Sequence, residues 1–146
     1  VLLSAMPLLD GVSRYWKHQT LAQLKESVGH IDMMVTGASA ITPSGIRFGK
    51  GHGYFDLEWA MLSSKGIADN STVIIGAGHD CQVADVPVTV EEYDTAIDYI
   101  VTPTRIIETR HEFPRPSKGI IWSRLAPGMR EQIPPVQELW CEVHCK

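Results

Sequence analysis

One run in the first half of the chain concentrates the groups that could hold a phosphorylated ligand: Gly45-Ile46-Arg47-Phe48-Gly49-Lys50-Gly51-His52-Gly53-Tyr54-Phe55-Asp56. Glycines at 45, 49, 51 and 53 leave backbone N–H groups open to close approach by phosphate oxygens. Arg47 and Lys50 add positive charge of two kinds, a planar fork and a mobile point charge, a pairing suited to a polyphosphate. His52 adds a further donor when protonated. Asp56 closes the run where a helix begins. Its carboxylate either holds Mg²⁺ against phosphates resting on the helix N-terminus or serves as an N-cap. The spacing is neither the Walker pattern nor the dinucleotide fingerprint, since it lacks the Lys-Ser/Thr pair of the first and the glycine spacing of the second.

The elements that must position this loop read as alternating strands and helices, the pattern of an α/β sheet. Val1 to Met6 reads as a strand ended by Pro7. Thr20 to Val28 places Leu21, Leu24 and Val28 at helical spacing, and Gly29 stops that helix. Ile31 to Val35 is a second strand, followed by small residues and by Pro43-Ser44-Gly45, a turn that feeds the glycine loop. Leu57 to Ser64 contains good helix formers and ends at Gly66. Val73 to Ala77 and Ile97 to Thr102 are buried strands, the latter closed by Pro103, with an irregular acidic segment between them. After Arg110 the chain turns rich in Pro, Arg and Lys, as a linker or a surface-hugging segment does. Ile120-Ile121-Trp122 re-docks, and Pro134-Pro135 opens a short terminal helix.

Composition narrows the classes. A length of 146 residues supports one domain, and the apolar fraction of 44% with 21% charged residues is that of a folded protein. A formal charge of -4 argues against general attraction to nucleic acid or anionic lipid, so any phosphate site must be local. No apolar run approaches the length of a membrane span. The chain opens on apolar residues without a basic leader, as if inside a domain. The 3 cysteines do not form a secreted disulfide framework, and the reducing cytoplasm is the compartment they imply. Cys81, beside His79 and Asp80, reads as a buried, inert thiol. Cys141, His144 and Cys145 are too few for a closed zinc site. Arg105, Arg110, Arg115, Lys118 and Arg124, interleaved with Phe113 and Trp122, read as a solvated surface strip rather than a nucleic-acid face. Trp16, Trp59 and Trp140 read as packing residues.

The glycine run resembles the signature of the 5-formyltetrahydrofolate cyclo-ligase (methenyltetrahydrofolate synthetase) family, written G-x-R-L-G-x-G-x-G-Y-Y-D, and reads G-I-R-F-G-K-G-H-G-Y-F-D here. A second block, Asp80-Cys81-Gln82-Val83 through Val86-Pro87-Val88 to Tyr93-Asp94 and Asp98-Tyr99-Ile100-Val101-Thr102, resembles the family's closing region. The tail and Leu57-Glu58-Trp59-Ala60-Met61 resemble a divergent branch, the methenyltetrahydrofolate synthetase domain-containing proteins. The resemblance implies a three-layer, Rossmann-like α/β sheet of the isomerase/CoA-transferase-like type. It also implies that a helix bearing Lys and Arg, with further strands, precedes Val1, so that oligomerisation is one way of covering an incomplete sheet. Residues 1–110 correspond to the C-terminal part of such a domain, and 111–146 to an extension.

Functionally the resemblance implies MgATP-dependent closure of 5-formyltetrahydrofolate to 5,10-methenyltetrahydrofolate, with ATP and Mg²⁺ bound and a reduced formylfolate as partner. Arg47 and Lys50 would stabilise phosphoryl transfer. Arg47, Gly49, Lys50, Gly51, His52, Gly53, Tyr54 and Phe55 would line the ATP and folate site, and Asp56 and Asp94 would bind Mg²⁺. His52 and Phe55 depart from the family's usual residues. The alternative on the same fold is a non-catalytic nucleotide- or RNA-binding module; a sugar-phosphate isomerase or CoA-transferase would not need the Gly-Arg-Lys run with two carboxylates.

Overall fold

The computed structural model describes residues 19–49, 51 and 53–145. The predicted first strand and Trp16 lie outside them, as do Lys50 and His52. Helix α1 (Leu21–Val28) is opened by a reciprocal cap: the Thr20 hydroxyl accepts from the Gln23 amide while the Gln23 side chain accepts from the Thr20 amide. Gly29 then turns the chain out at φ 73°, a conformation that costs glycine little.

Strand β1 (Met33–Gly37) follows, two residues later than the apolar pattern predicts. Its bounds are set by the neighbouring β4 (Val73–Ala77), which pairs with it in parallel from Met33 against Val73 to Gly37 against Ala77. The strand therefore begins where β4 can meet it rather than where its own apolar residues begin. Strand β5 (Tyr99–Val101) extends the parallel sheet, and β6 (Ile106–Glu108) returns antiparallel beside it, giving the order β1-β4-β5-β6. The parallel step from β1 to β4 needs a crossover helix, supplied by α2 (Tyr54–Ser64). The result is a mixed α/β structure whose parallel-rich central sheet is flanked by helices.

Helix α2 is buried on two sides. Phe55, Trp59 and Leu62 join Ile41, Ile74, Ile97 and Ile100 in the core against the sheet. Leu57 and Ala60 face a second cluster with Leu21, Ile120, Val136 and Leu139, formed by α1 and the terminal helix α4 (Pro134–His144), which follows the short α3 (Met129–Gln132). A helix packed on both sides is apolar nearly all round, which is why Leu57 to Ser64 shows no clean polar stripe. Met33 and Val35 of β1 are exposed.

The segment after Arg110 is fastened to the sheet. The Arg115 side chain is only 8% exposed and pairs with Asp98. Its remaining nitrogens donate to the carbonyls of Ala96 (3.1 Å) and Thr72 (2.6 Å). Trp59 Nε1 donates to the Pro116 carbonyl at 2.9 Å, and the Arg115 guanidinium lies over the Trp59 ring. Arg115 therefore does not belong to a solvated strip. Asp98 Oδ2 also accepts from the Ile74 amide at 2.7 Å, so the Arg115–Asp98 pair ties this segment to β4.

Candidate functional site

The glycine run is held by a miniature hairpin. Strand β2 (Ala40–Ile41) pairs antiparallel with β3 (Arg47–Phe48), so that Ile41 stands opposite Arg47. The intervening turn closes on itself: the Thr42 amide donates to the Ile46 carbonyl at 2.8 Å, and the Ile46 amide donates to the Thr42 hydroxyl at 3.2 Å. Gly45 sits in this turn at φ +96°, and a Cβ there would meet the Ile97 carbonyl at 2.9 Å. The first glycine of the run thus serves close packing of the turn against the sheet, whereas Gly49, Gly51 and Gly53 line a cleft of about 1100 Å³. The cleft opens beyond the carboxyl end of β1, at Val35 to Ser39, where parallel α/β sheets place their ligands.

Arg47 aims across this cleft. Its side chain is 9% exposed, its Nη2 lies 3.5 Å from Asp56 Oδ2, and its guanidinium rests 4.5 Å above the Phe55 ring centroid. Its buried Nε has no hydrogen-bond partner among the described residues. Burial lowers the Arg47 pKa, and the nearby carboxylates of Asp56, Asp94 and Glu58 oppose that shift. A Cβ on Gly49 would stand 3.1 Å from Arg47 Nη1, so glycine leaves the fork room to turn.

Asp56 is in the first turn of α2 but does not cap it. The N-cap is Gly53, in the left-handed region and with no side-chain bond to the helix amides. Freed from capping, Asp56 reaches back to Arg47 and accepts from the Thr95 amide at 2.9 Å through Oδ1. That bond draws the Asp94 turn to the helix. Asp94 Oδ2 accepts from the Glu91 amide at 2.8 Å, and partial burial together with the Asp56 charge raises the Asp94 pKa above its ordinary 3.8.

Of the residues singled out from the sequence, Arg47, Gly49, Gly51, Gly53, Tyr54, Phe55, Asp56 and Asp94 all border this one cleft. Phe55 is also 7% exposed and part of the core, where it forms the shelf beneath Arg47. Asp56 and Asp94 supply two hard oxygen ligands close enough to repel each other. Among the described residues no cluster of three or more His, Cys, Asp or Glu makes a protein-only cage. A cation here would complete its shell from phosphate oxygens and water, as Mg²⁺ commonly does. The uncapped N-terminus of α2 abuts the same space and favours anions. The residues present fit a Mg²⁺–polyphosphate group.

The sequence reading missed a second wall, where Ile120, Ile121, Leu125 and Met129 line the cleft with Arg124. Only the apolar spacing of that stretch announces it, and the surrounding prolines and charges mask the signal. The reading of Cys81 is also corrected: the thiol is exposed, and His79 Nδ1 lies 3.2 Å from its sulfur. His79 turns back to cap the 3-10 turn Asp80–Gln82, and that bends its ring toward the sulfur. The basic residues of the tail are locally neutralised, Arg105 by Asp80 and Arg110 by Asp85. Among the described residues, no helix is long and apolar enough to cross a membrane.

Comparison with known proteins adds a family. The 5-formyltetrahydrofolate cyclo-ligase family matches residues 11–103. The methenyltetrahydrofolate synthase domain-containing protein of Homo sapiens is 44% identical over 110 residues, covering 75% of this chain and 28% of the human protein. The proteins of the same name from Mus musculus (44%, 29% of its length) and Danio rerio (41%, 28% of its length) are similar over the same share of this chain, 75%. The chain thus spans less than a third of the length of the curated relatives it matches.

Proposed function

This chain belongs to the 5-formyltetrahydrofolate cyclo-ligase family, and from that we propose that its cleft binds MgATP and a reduced formylfolate and closes the folate ring to the 5,10-methenyl form. The observation that carries the reading is Arg47: a buried guanidinium with an unpartnered Nε, set beside Asp56 and the uncapped start of α2. An unsatisfied donor at such a depth costs free energy in the empty protein, and a phosphate oxygen would recover it.

In the proposed reaction the formyl oxygen attacks the γ-phosphorus of ATP and ADP departs with the bond electrons. The second folate nitrogen then attacks the activated carbon, its proton passing to solvent, and phosphate leaves with the former formyl oxygen. No enzyme nucleophile is consumed, so the chain's task is to position reactants and stabilise charge. Arg47 grips phosphate oxygens with its fork, and the amides of Gly49, Gly51 and Gly53 line the path of the phosphate chain. Lys50, between Gly49 and Gly51 in the sequence, would add a further positive charge. Asp56 and Asp94 would hold Mg²⁺, which when bound neutralises charge on the phosphate oxygens. Tyr54 and Phe48, both exposed on the cleft, offer ring faces to a planar heterocycle. A volume of about 1100 Å³ lies above the range of roughly 300–1,000 Å³ usual for one small ligand, in keeping with two substrates side by side.

The test is direct: protein, 5-formyltetrahydrofolate and MgATP are mixed, and the near-ultraviolet absorbance of the methenyl product is followed. ATP-dependent growth of that band supports the ligase. Nucleotide binding with no product from folded protein would reject catalysis and leave a binding module on the same fold.

A further inference from the structure

A second wall of the cleft comes from residues beyond the family match, which ends at residue 103. It is built firmly. Ile120 is 9% exposed and packs with Leu57, Ala60, Val136 and Leu139, while Arg115 and Pro116 are fastened to the sheet and to Trp59 just upstream. On this wall Ile121, Leu125 and Met129 present apolar surface to the cleft, with Arg124 among them.

Arg124 differs from the other arginines of this region. Arg105, Arg110, Arg115 and Arg130 each have an acceptor at 3.2 Å or closer. Arg124 has Glu91 at 3.7 Å, with side-chain exposures of 55% and 44%. An exposed pair at that distance contributes little and exchanges readily for a better anion. Glu91 also donates its amide to Asp94, so the pair links the wall to the turn that carries a proposed Mg²⁺ ligand.

Two arginines thus line the cleft: Arg47 by the glycine loop and Arg124 among Ile121, Leu125 and Met129. That arrangement fits a second ligand with a flat apolar body and a carboxylate tail. We propose that Arg124 is the specificity residue that receives the glutamate carboxylate of the reduced folate, displacing Glu91. This rests on the folate reading above and adds which residue selects the acidic tail.

The test pairs protein and ligand changes. Equilibrium binding of 5-formyltetrahydrofolate and of its pteroyl methylamide analogue, which carries no carboxylate, is measured for the wild type, Arg124→Ala, Arg124→Lys and Glu91→Gln. Loss of a charge-assisted bond predicts that Arg124→Ala weakens the folate about tenfold, spares the analogue and spares MgATP. Arg124→Lys should recover part of the loss, and Glu91→Gln should tighten the folate by removing the competing carboxylate. Because Arg124 is exposed, an unchanged thermal midpoint verifies that the variant is folded. Equal losses for both ligands, or no loss for either, would overturn the assignment while leaving the folate reading intact. Failure of wild-type protein to bind either folate would overturn both, and the wild type alone reveals it.

Discussion

Arg47 and Asp94 are held in environments that oppose their charges. Asp94 sits partly buried beside Asp56, so the folded protein favours its protonated form. With its folded pKa raised above the unfolded value, the folded state binds more protons between the two. This group's contribution to stability therefore falls as pH rises through that window and is recovered on acidification. Asp94→Asn keeps an oxygen to accept from the Glu91 amide and removes the repulsion with Asp56. Its thermal midpoint at neutral pH should equal or exceed the wild type's, and the pH slope just above 3.8 should flatten. The same variant should lose the Mg²⁺-dependent part of nucleotide binding. A variant that is destabilised yet retains Mg²⁺-dependent binding would show that Asp94 is a structural cap alone. For the wild type, nucleotide affinity should weaken on acidification through the same window, because a cation needs the ionised carboxylate.

Among the elements, the β2–β3 hairpin and the Arg115 segment carry the positioning. Gly45→Ala places a side chain at a positive φ and drives it against the Ile97 carbonyl. The expected loss is about 1–3 kcal/mol, measured by urea unfolding, with nucleotide affinity falling in step because Arg47 rides on the same hairpin. A neutral effect would mean the turn can open without cost. Arg115→Met leaves Asp98 without its cation beneath the sheet. It should destabilise by about 3 kcal/mol. The paired change Arg115→Met with Asp98→Asn should recover much of that loss, whereas simple additivity would deny the ion pair its role.

At the scale of the molecule, local pattern revealed what local chemistry decides. Leu21, Leu24 and Val28 with Gly29 marked α1 closely, and the run Val73 to Ala77 is β4 residue for residue. Neighbours decide the rest. The start of β1 follows the register of β4, and a hairpin with two residues on each side has no periodicity to read. Helix α2 begins at Tyr54 because Gly53 can turn left-handed and accept from the Leu57 amide, three residues before the strong helix formers. For the candidate site, the sequence already grouped Gly49, Gly51, Gly53, Arg47 and Asp56, which border one cleft, because they lie in a single short run. Arg115 was not legible, since nothing near it in sequence reveals that it pairs with Asp98, 17 residues away. Arg124 and the apolar wall were not, since only the fold brings that stretch to the lining of the same cleft.

The central claim is that Arg47 and its neighbours form a nucleotide site, and ligand-linked stability tests it most directly. A ligand that binds only the folded state raises the thermal midpoint with concentration. Saturating MgATP should raise the midpoint of the wild type and leave that of Arg47→Ala unchanged, after allowance for the variant's own lower starting point. An equal MgATP-dependent rise in the wild type and in Arg47→Ala would contradict the account.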